Sequence, residues 1–540
     1  MSGITTTTAV SISGEVISSS SSLLTVVPAA TATVTEQIVL GGETNATNFP
    51  IHEPSSGGGQ STLAAGDDTG FLTNVGLSTP VNSAATASYT FSTYLGGMSS
   101  FGQVRDIFVD TSGNVYGCGV TEDGSLPTTS NAAQKTYGGG KDAFIAEFNS
   151  SGALQYLTYL GGSGDETCNS LTVDISGNIY VLGSETDSTA SGATNLMGTS
   201  GAFQTANAGG SDIFVAEINT STPGHPIWLT FVGGAGDDFG DGRIAVRSGG
   251  DLVLSGTSQS TASTSPAAFP IPATQGRPPL SGVGTFGVVI ALSSDGTTLL
   301  ASTLLFGHNN GASPGSLSTT TGSGGFAIDA GSNTHVCGQT NASDLLTANL
   351  PAATVATMFQ PTLMGEQDAY IAVLDANGAI TQITYLGGTS ASMVQECKGI
   401  AVDRDSNTVV VMPTDAADYP LTTSQTISGP TDFAVTKLTS DLSTLVFSRL
   451  VGGSGTESAD ATRIQFDNAE NIYFSLATNS ADFPVTSNAL QGTFAGTPLG
   501  PTTNVAVVKL SADGSTILYG SYLGGATGNN STTSIFYHLN

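Results

Sequence analysis

Carboxylates collect just after a recurring Leu-Gly-Gly or Val-Gly-Gly segment: Asp165 and Glu166, then Asp237, Asp238 and Asp241, then Glu457 and Asp460. Clustered carboxylate oxygens are the ligands Ca²⁺ prefers. These seven residues are therefore the candidate metal site, and Ca²⁺ is the one cofactor suggested; the alternative is a set of solvated loops kept soluble by charge. Asp403-x-Asp405-x-Asn407 imitates the start of a Ca²⁺ loop. It lacks the downstream Gly and Glu, however, and stands where other parts of the chain carry Asp-x-x-x-Asn, so it reads as a turn. Gly311-Ala-Ser313-Pro-Gly315 matches the nucleophile-elbow pattern, which needs a strand before it and a helix after it; neither is indicated. The five His (His52, His225, His308, His335, His538) form no metal-binding spacing. Seven Arg scattered over the chain show no cluster for an anionic substrate, and the lone Trp228 is explained by packing. No catalytic residue is assigned, and the chain reads as a non-enzyme.

The elements that position these residues repeat. Thr93-Tyr-Leu-Gly-Gly97 recurs in variants ending at Gly162, Gly234, Gly307, Gly388, Gly453 and Gly525, at intervals of 65, 72, 73, 81, 65 and 72 residues. Each unit has four beats: an apolar run ending in a turn (Leu171 to Asn178), a second run at once (Ile179 to Gly183), a third after a variable loop (Phe144 to Phe148, Phe214 to Ile218), and the LGG run itself. The turn pairs an Asp with an Asn four residues on, at 110/114, 174/178, 329/333, 403/407 and 467/471. All beats are short, rich in Val, Ile, Phe and Tyr, and bounded by turn residues, which is the strand signature. Four antiparallel strands repeated at this spacing make an all-β fold, a β-propeller. Residues 36–97 supply beats two to four and 533–538 a first beat, so the termini share a blade. The expected architecture is a seven-bladed propeller over 36–540, with residues 1–35 as a Ser/Thr-rich N-terminal arm.

The LGG strand, the Asp-x-x-Gly-Asn turn, Asp482-Phe-Pro484 with its variants Asn48-Phe-Pro50 and Asp418-Tyr-Pro420, and Gly201-Ala-Phe-Gln204 resemble the SBBP-type β-propeller repeat of bacterial and archaeal secreted and surface proteins. The resemblance implies a fold and a secreted or surface setting, with no catalytic signature. The unit 235–307 departs from the pattern, with Arg247 and Asp251 at the turn positions.

Repeat equivalence orders the four cysteines. Cys118 and Cys337 each stand four residues beyond a turn Asn, and Cys168 and Cys397 six before a turn Asp. Disulfides Cys118–Cys168 and Cys337–Cys397 are therefore expected, each from a second strand to the first strand of the next blade. Chain entropy assigns such loops about 4 kcal/mol each, and the pairs imply an oxidising compartment.

Composition narrows the partners. The 540 residues hold 12 Lys and Arg against 42 Asp and Glu, net −30, too few cations to neutralise a phosphate backbone or anionic membrane. Nucleic acid is excluded on that ground. No apolar run reaches membrane-spanning length. Mean hydropathy of +0.12 and 39% hydrophobic residues supply a core. Residues 1–10 lack signal-peptide character, so an extracellular or surface location would require that a signal has been removed. Asn-x-Ser/Thr acceptors occur at Asn45, Asn149, Asn219, Asn341, Asn529 and Asn530, compatible with glycosylation. The arm's alternating runs could pair with a neighbouring subunit's strand. The expected role is a secreted or surface structural or adhesive propeller, self-associating through residues 1–35 into a filament or array. The alternatives are a propeller binding a ligand, cation or surface glycan, and behind it a channel-mouth hydrolase or lyase.

Overall fold

A computed structural model describes residues 33–539 apart from 53–67, 81–85, 98–99, 188, 221–225, 262–267, 273–279, 281–284, 308–316, 320–324, 391–394, 460–461 and 527–528. Seven antiparallel sheets, each with four strand positions from channel to rim, follow one another as blades. In the first blade Gly102–Val109 lines the centre and is followed outward by Val115–Thr121, Asp142–Phe148 and Leu154–Leu160. The second blade repeats this with Asp165–Val173, Asn178–Thr186, Ser211–Asn219 and Trp228–Val232. In the third, fourth and sixth blades the innermost position is split into two short pieces, as in Asp238–Phe239 and Ile244–Val246. Among the described residues, helix is confined to Leu345–Asn349 and Ala352–Val355.

The closing blade uses both termini. Asn530–Leu539 pairs antiparallel with Thr33–Thr44, Leu40 opposite Ile535, and Thr69–Pro80 and Thr86–Tyr94 complete the sheet. Pairing within one sheet closes the ring and removes two open edges. The strand from the N-terminal side begins at Thr33, slightly before the boundary at 36. Residues 1–32 lie outside the described residues, as do the Gly311–Gly315 segment, Asp460, His225 and His308.

Apolar faces of neighbouring blades make the core; Phe433 and Phe474 stack between the fifth and sixth blades with ring centroids 6.4 Å apart. The turn pairs are one device copied. Asp110 Oδ1 accepts the Ser112 and Asn114 backbone N–H at 2.8 and 2.9 Å, and Oδ2 accepts Asn114 Nδ2 at 2.8 Å. Asp403 does the same for Asp405 and Asn407, so this triplet is a turn rather than a cation loop. Cys118 is bonded to Cys168 and Cys337 to Cys397. Each bond ties a second strand to the start of the next blade.

Candidate functional site

The acids after LGG stand where each innermost strand begins, and they fall into two kinds. Glu166, Asp238 and Glu457 are fully buried. Each accepts the backbone N–H of the second LGG glycine: Gly162 to Glu166 Oε2 at 2.8 Å, Gly234 to Asp238 Oδ2 at 2.7 Å, Gly453 to Glu457 Oε2 at 3.3 Å. Over the first glycine of the LGG, Glu166 and Glu457 meet a second buried carboxyl from the start of the previous blade's third strand, Asp142 and Asp432, and Asp212 fills the equivalent place over Gly233, where burial and the charge of Asp238 raise its pKa. A Cβ on Gly161 would stand 2.5 Å from Glu166 Oε2 and 2.8 Å from Asp142 Oδ1. On Gly452 it would stand 2.6 Å from Asp432 Oδ1 and 2.7 Å from Glu457 Oε2. The repeated glycine thus makes room for an acid pair. Burial pushes Asp142 up to about 6, Asp212 and Glu457 to about 7 and Glu166 to about 8, against the hydrogen bonds that favour their charged forms.

The neighbours of these acids take other roles. Exposed Asp165 and half-buried Asp237 accept the backbone N–H of Lys141 at 3.0 Å and Ser211 at 3.1 Å. Asp241 accepts the Thr257 hydroxyl at 3.0 Å. The acids therefore meet in pairs between successive blades. Among the described residues no three His, Cys, Asp or Glu side chains come together as a metal-binding group.

Other singled-out residues are structural. His335 Nδ1 lies 2.8 Å from Thr408 Oγ1 and Nε2 3.5 Å from Asp329 Oδ2; burial lowers its pKa, against the pull of Asp329. Trp228 Nε1 donates to Glu217 at 2.6 Å. His52 is exposed and stacks on Tyr89. Of the glycosylation acceptors, Asn530 is corrected. It is fully buried, donates to Thr503 O at 2.6 Å and accepts from Thr44 at 2.7 Å, leaving no room for a sugar. Asn529 is exposed, and Asn45, Asn149, Asn219 and Asn341 are half-buried.

Arginine, expected to be scattered, is corrected too. Four residues before the turn, the six full blades carry Asp106, Ser170, Arg243, Gly325, Gly399 and Arg463 at one equivalent step. Side chains from three blades meet there on the axis. Asp106 accepts Arg463 Nε at 2.9 Å and Nη2 at 2.6 Å, Ser170 Oγ at 2.8 Å and the Leu171 N–H at 3.0 Å. Burial alone would raise the Asp106 pKa; Arg463 and Arg243 hold it below the ordinary value.

Arg243 occupies the same step without a partner of its own. It is 8% exposed, and among the described residues its guanidinium makes no hydrogen bond or ion pair. Burial and Arg463 push its pKa well down, against the attraction of Asp106. Gly325 and Gly399 put no side chain into the channel at this level. At this level opens a cavity of about 510 Å³, lined by Arg243, Arg463, Arg247, Ile244, Phe326 and Ile328 among others. Arg247 donates Nη1 to Ala376 O at 3.0 Å, while its buried Nε has no acceptor among the described residues. Three of seven Arg thus surround one cavity. Their spread along the chain hides this; counting back from each turn reveals the shared step of two of them, and Arg247 is itself the turn residue.

Residues 155–184 match the family model for the SBBP beta-propeller repeat. The chain carries an SBBP repeat. The matched segment spans the outermost strand of the first blade and the inner two of the second. A comparison with curated proteins gives no match. Among solved structures, a Bacteroides caccae protein of unknown function is 10% identical, covering 73% of this chain and 94% of its own, TM-score 0.32. An ACO/RPE65 chimera is 9% identical over 93% of both chains, TM-score 0.40. The NanB sialidase from Streptococcus pneumoniae is 9% identical, covering 91% of this chain and 88% of its own, TM-score 0.31. At these scores nothing about the chemistry of this propeller follows from them.

Proposed function

We propose that this chain is an extracellular, non-enzymatic binding propeller that takes the carboxylate of a small acidic molecule, such as an acidic sugar, at the turn-side mouth of its channel. The observation that carries the reading is the buried Arg243 guanidinium without a partner. A buried cation beside a second cation is unfavourable unless an anion completes the site. A guanidinium presents a fork that matches a carboxylate, and the cavity has the size of ordinary small-ligand sites, about 300–1,000 Å³. Ile244, Phe326 and Ile328 offer apolar surface to the rest of the ligand. Binding rather than turnover is supported by the lining: Asp329 is committed to Asn333 at 2.8 and 2.9 Å and faces His335. The two disulfides support an oxidising, extracellular setting. The structural or adhesive reading, with assembly through the arm, concerns residues outside those described.

Calorimetric titration with glucuronate, with glucose as the neutral control, tests the proposal. Glucuronate binds, glucose does not, and Arg243→Gln weakens binding at least about tenfold, the loss of roughly one charge-assisted contact. Equal binding by the variant, or no heat from glucuronate, contradicts it.

A further inference from the structure

We propose that the pairs Asp142–Glu166, Asp212–Asp238 and Asp432–Glu457 are each held by one shared proton at neutral pH, so that these three blade-to-blade contacts are locked in acid and loosened in base. In all three pairs Oδ1 of the third-strand Asp is buried and receives no hydrogen bond from the described residues; Glu166 Oε1 and Asp238 Oδ1 are orphaned as well. Two charged carboxylates facing each other with no donor between them repel, whereas one proton between them supplies the missing hydrogen bond.

The molecule holds its own control. Where the fourth blade meets the fifth, the same two positions are Asp368 and Gln395, and the Gln395 amide donates to Asp368 Oδ1 at 3.3 Å and accepts the Gly388 N–H at 2.8 Å. Where the sixth meets the closing blade they are Asn504 and Asn530, and a Cβ on Gly524 would stand 2.6 and 3.0 Å from their Nδ2 atoms. An N–H donor thus occupies the place that a protonated carboxyl must fill in the acidic pairs.

Among the described residues no cation offsets the charge. Glu185 lies opposite Glu166 across the sheet and opposite Asp212 on its other side; Asp165, Asp187 and Asp237 add to the negative field. The Lys141 ammonium is paired with Glu122 at 3.6 Å. Arg449, which shares a cavity with Asp432, donates instead to Gly514 O and Ser515 O at 3.0 Å. With the folded pKa values raised, the folded chain binds more protons than the unfolded one. The stabilisation is full below the ordinary carboxyl range, about 4, and is lost as pH rises through about 6 to 8.

Thermal melts of the whole chain between about pH 5 and about pH 8.5 at fixed ionic strength test this. Wild type should lose about 5 °C or more across the range. The triple variant Asp142→Asn/Asp212→Asn/Asp432→Asn, which copies the amide contacts, should lose most of that dependence. Asp68→Asn/Glu366→Gln/Asp405→Asn, which removes three exposed carboxylates that do not act on the pairs, should track wild type. The proposal fails if the first variant keeps the wild-type slope or if the control variant flattens it. Should the first variant not fold, infrared spectra of wild type near neutral pH decide: a protonated-carboxyl band supports the shared proton, and its absence overturns it. Stabilisation by millimolar Ca²⁺ at the alkaline end, lost in the first variant, also overturns it, because the pairs would then be charged cation ligands.

Discussion

The two ends of the innermost strands hold charge differently. At the start of the innermost strand in the second, third and sixth blades, after LGG, buried acids are paired with one another and with backbone N–H groups of the same turn. Toward the other end, near the first-to-second strand turn, Arg463 is closed by Asp106 but Arg243, at the equivalent step, is left open to a cavity. The chain has acids in excess and places six of them in pairs between blades; cations are scarce, and among the described residues Arg243 is buried without a hydrogen-bonded partner. A buried charge the fold itself satisfies speaks for architecture. One left unsatisfied points outward, to a ligand.

The contrast between the two arginines gives the largest expected effect. Arg463→Ala leaves Asp106 buried without its bidentate partner and should cost about 3–5 kcal/mol in denaturant unfolding. Arg243→Gln, at the same step three blades earlier, should cost less than about 1 kcal/mol or stabilise, because it removes a like charge beside Arg463. Equal losses would mean that Arg243 is also a structural residue. Next in size, Gly161→Ala puts a methyl onto the Asp142–Glu166 pair and should cost about 1–3 kcal/mol. Gly249→Ala, with open space around it, serves as the neutral partner of that experiment. Smallest of all, Asp165→Asn should shift stability by no more than about 0.5 kcal/mol, since the residue is exposed and the amide oxygen can still accept the Lys141 N–H. A large loss there would erase the distinction between the buried acid and its exposed neighbour.

Much of the ring is legible in the chain because every blade is a copy. The LGG interval, the shared closing blade and the cysteine pairs follow from equivalence of position, a stronger guide than residue type. The candidate site is less legible, for two physical reasons. Asp165 and Glu166 are neighbours on a strand and point to opposite faces, so residue type alone cannot say which one is buried under Gly162 and which is solvated. Arg243, Arg247 and Arg463 are separated by up to 220 residues and meet only because the ring brings its first strands to one axis. Their common place four residues before, or at, the turn is visible in the chain; what the closing of the ring adds is that Asp106 takes one arginine and leaves the next unpaired.

Completion of Arg243 by an anion is tested most directly by crystals soaked in bromide and examined by anomalous scattering. The expected result is a bromide beside the Arg243 guanidinium in the channel cavity, absent in Arg243→Gln crystals. Occupancy elsewhere on the molecule with that cavity empty of halide would contradict it.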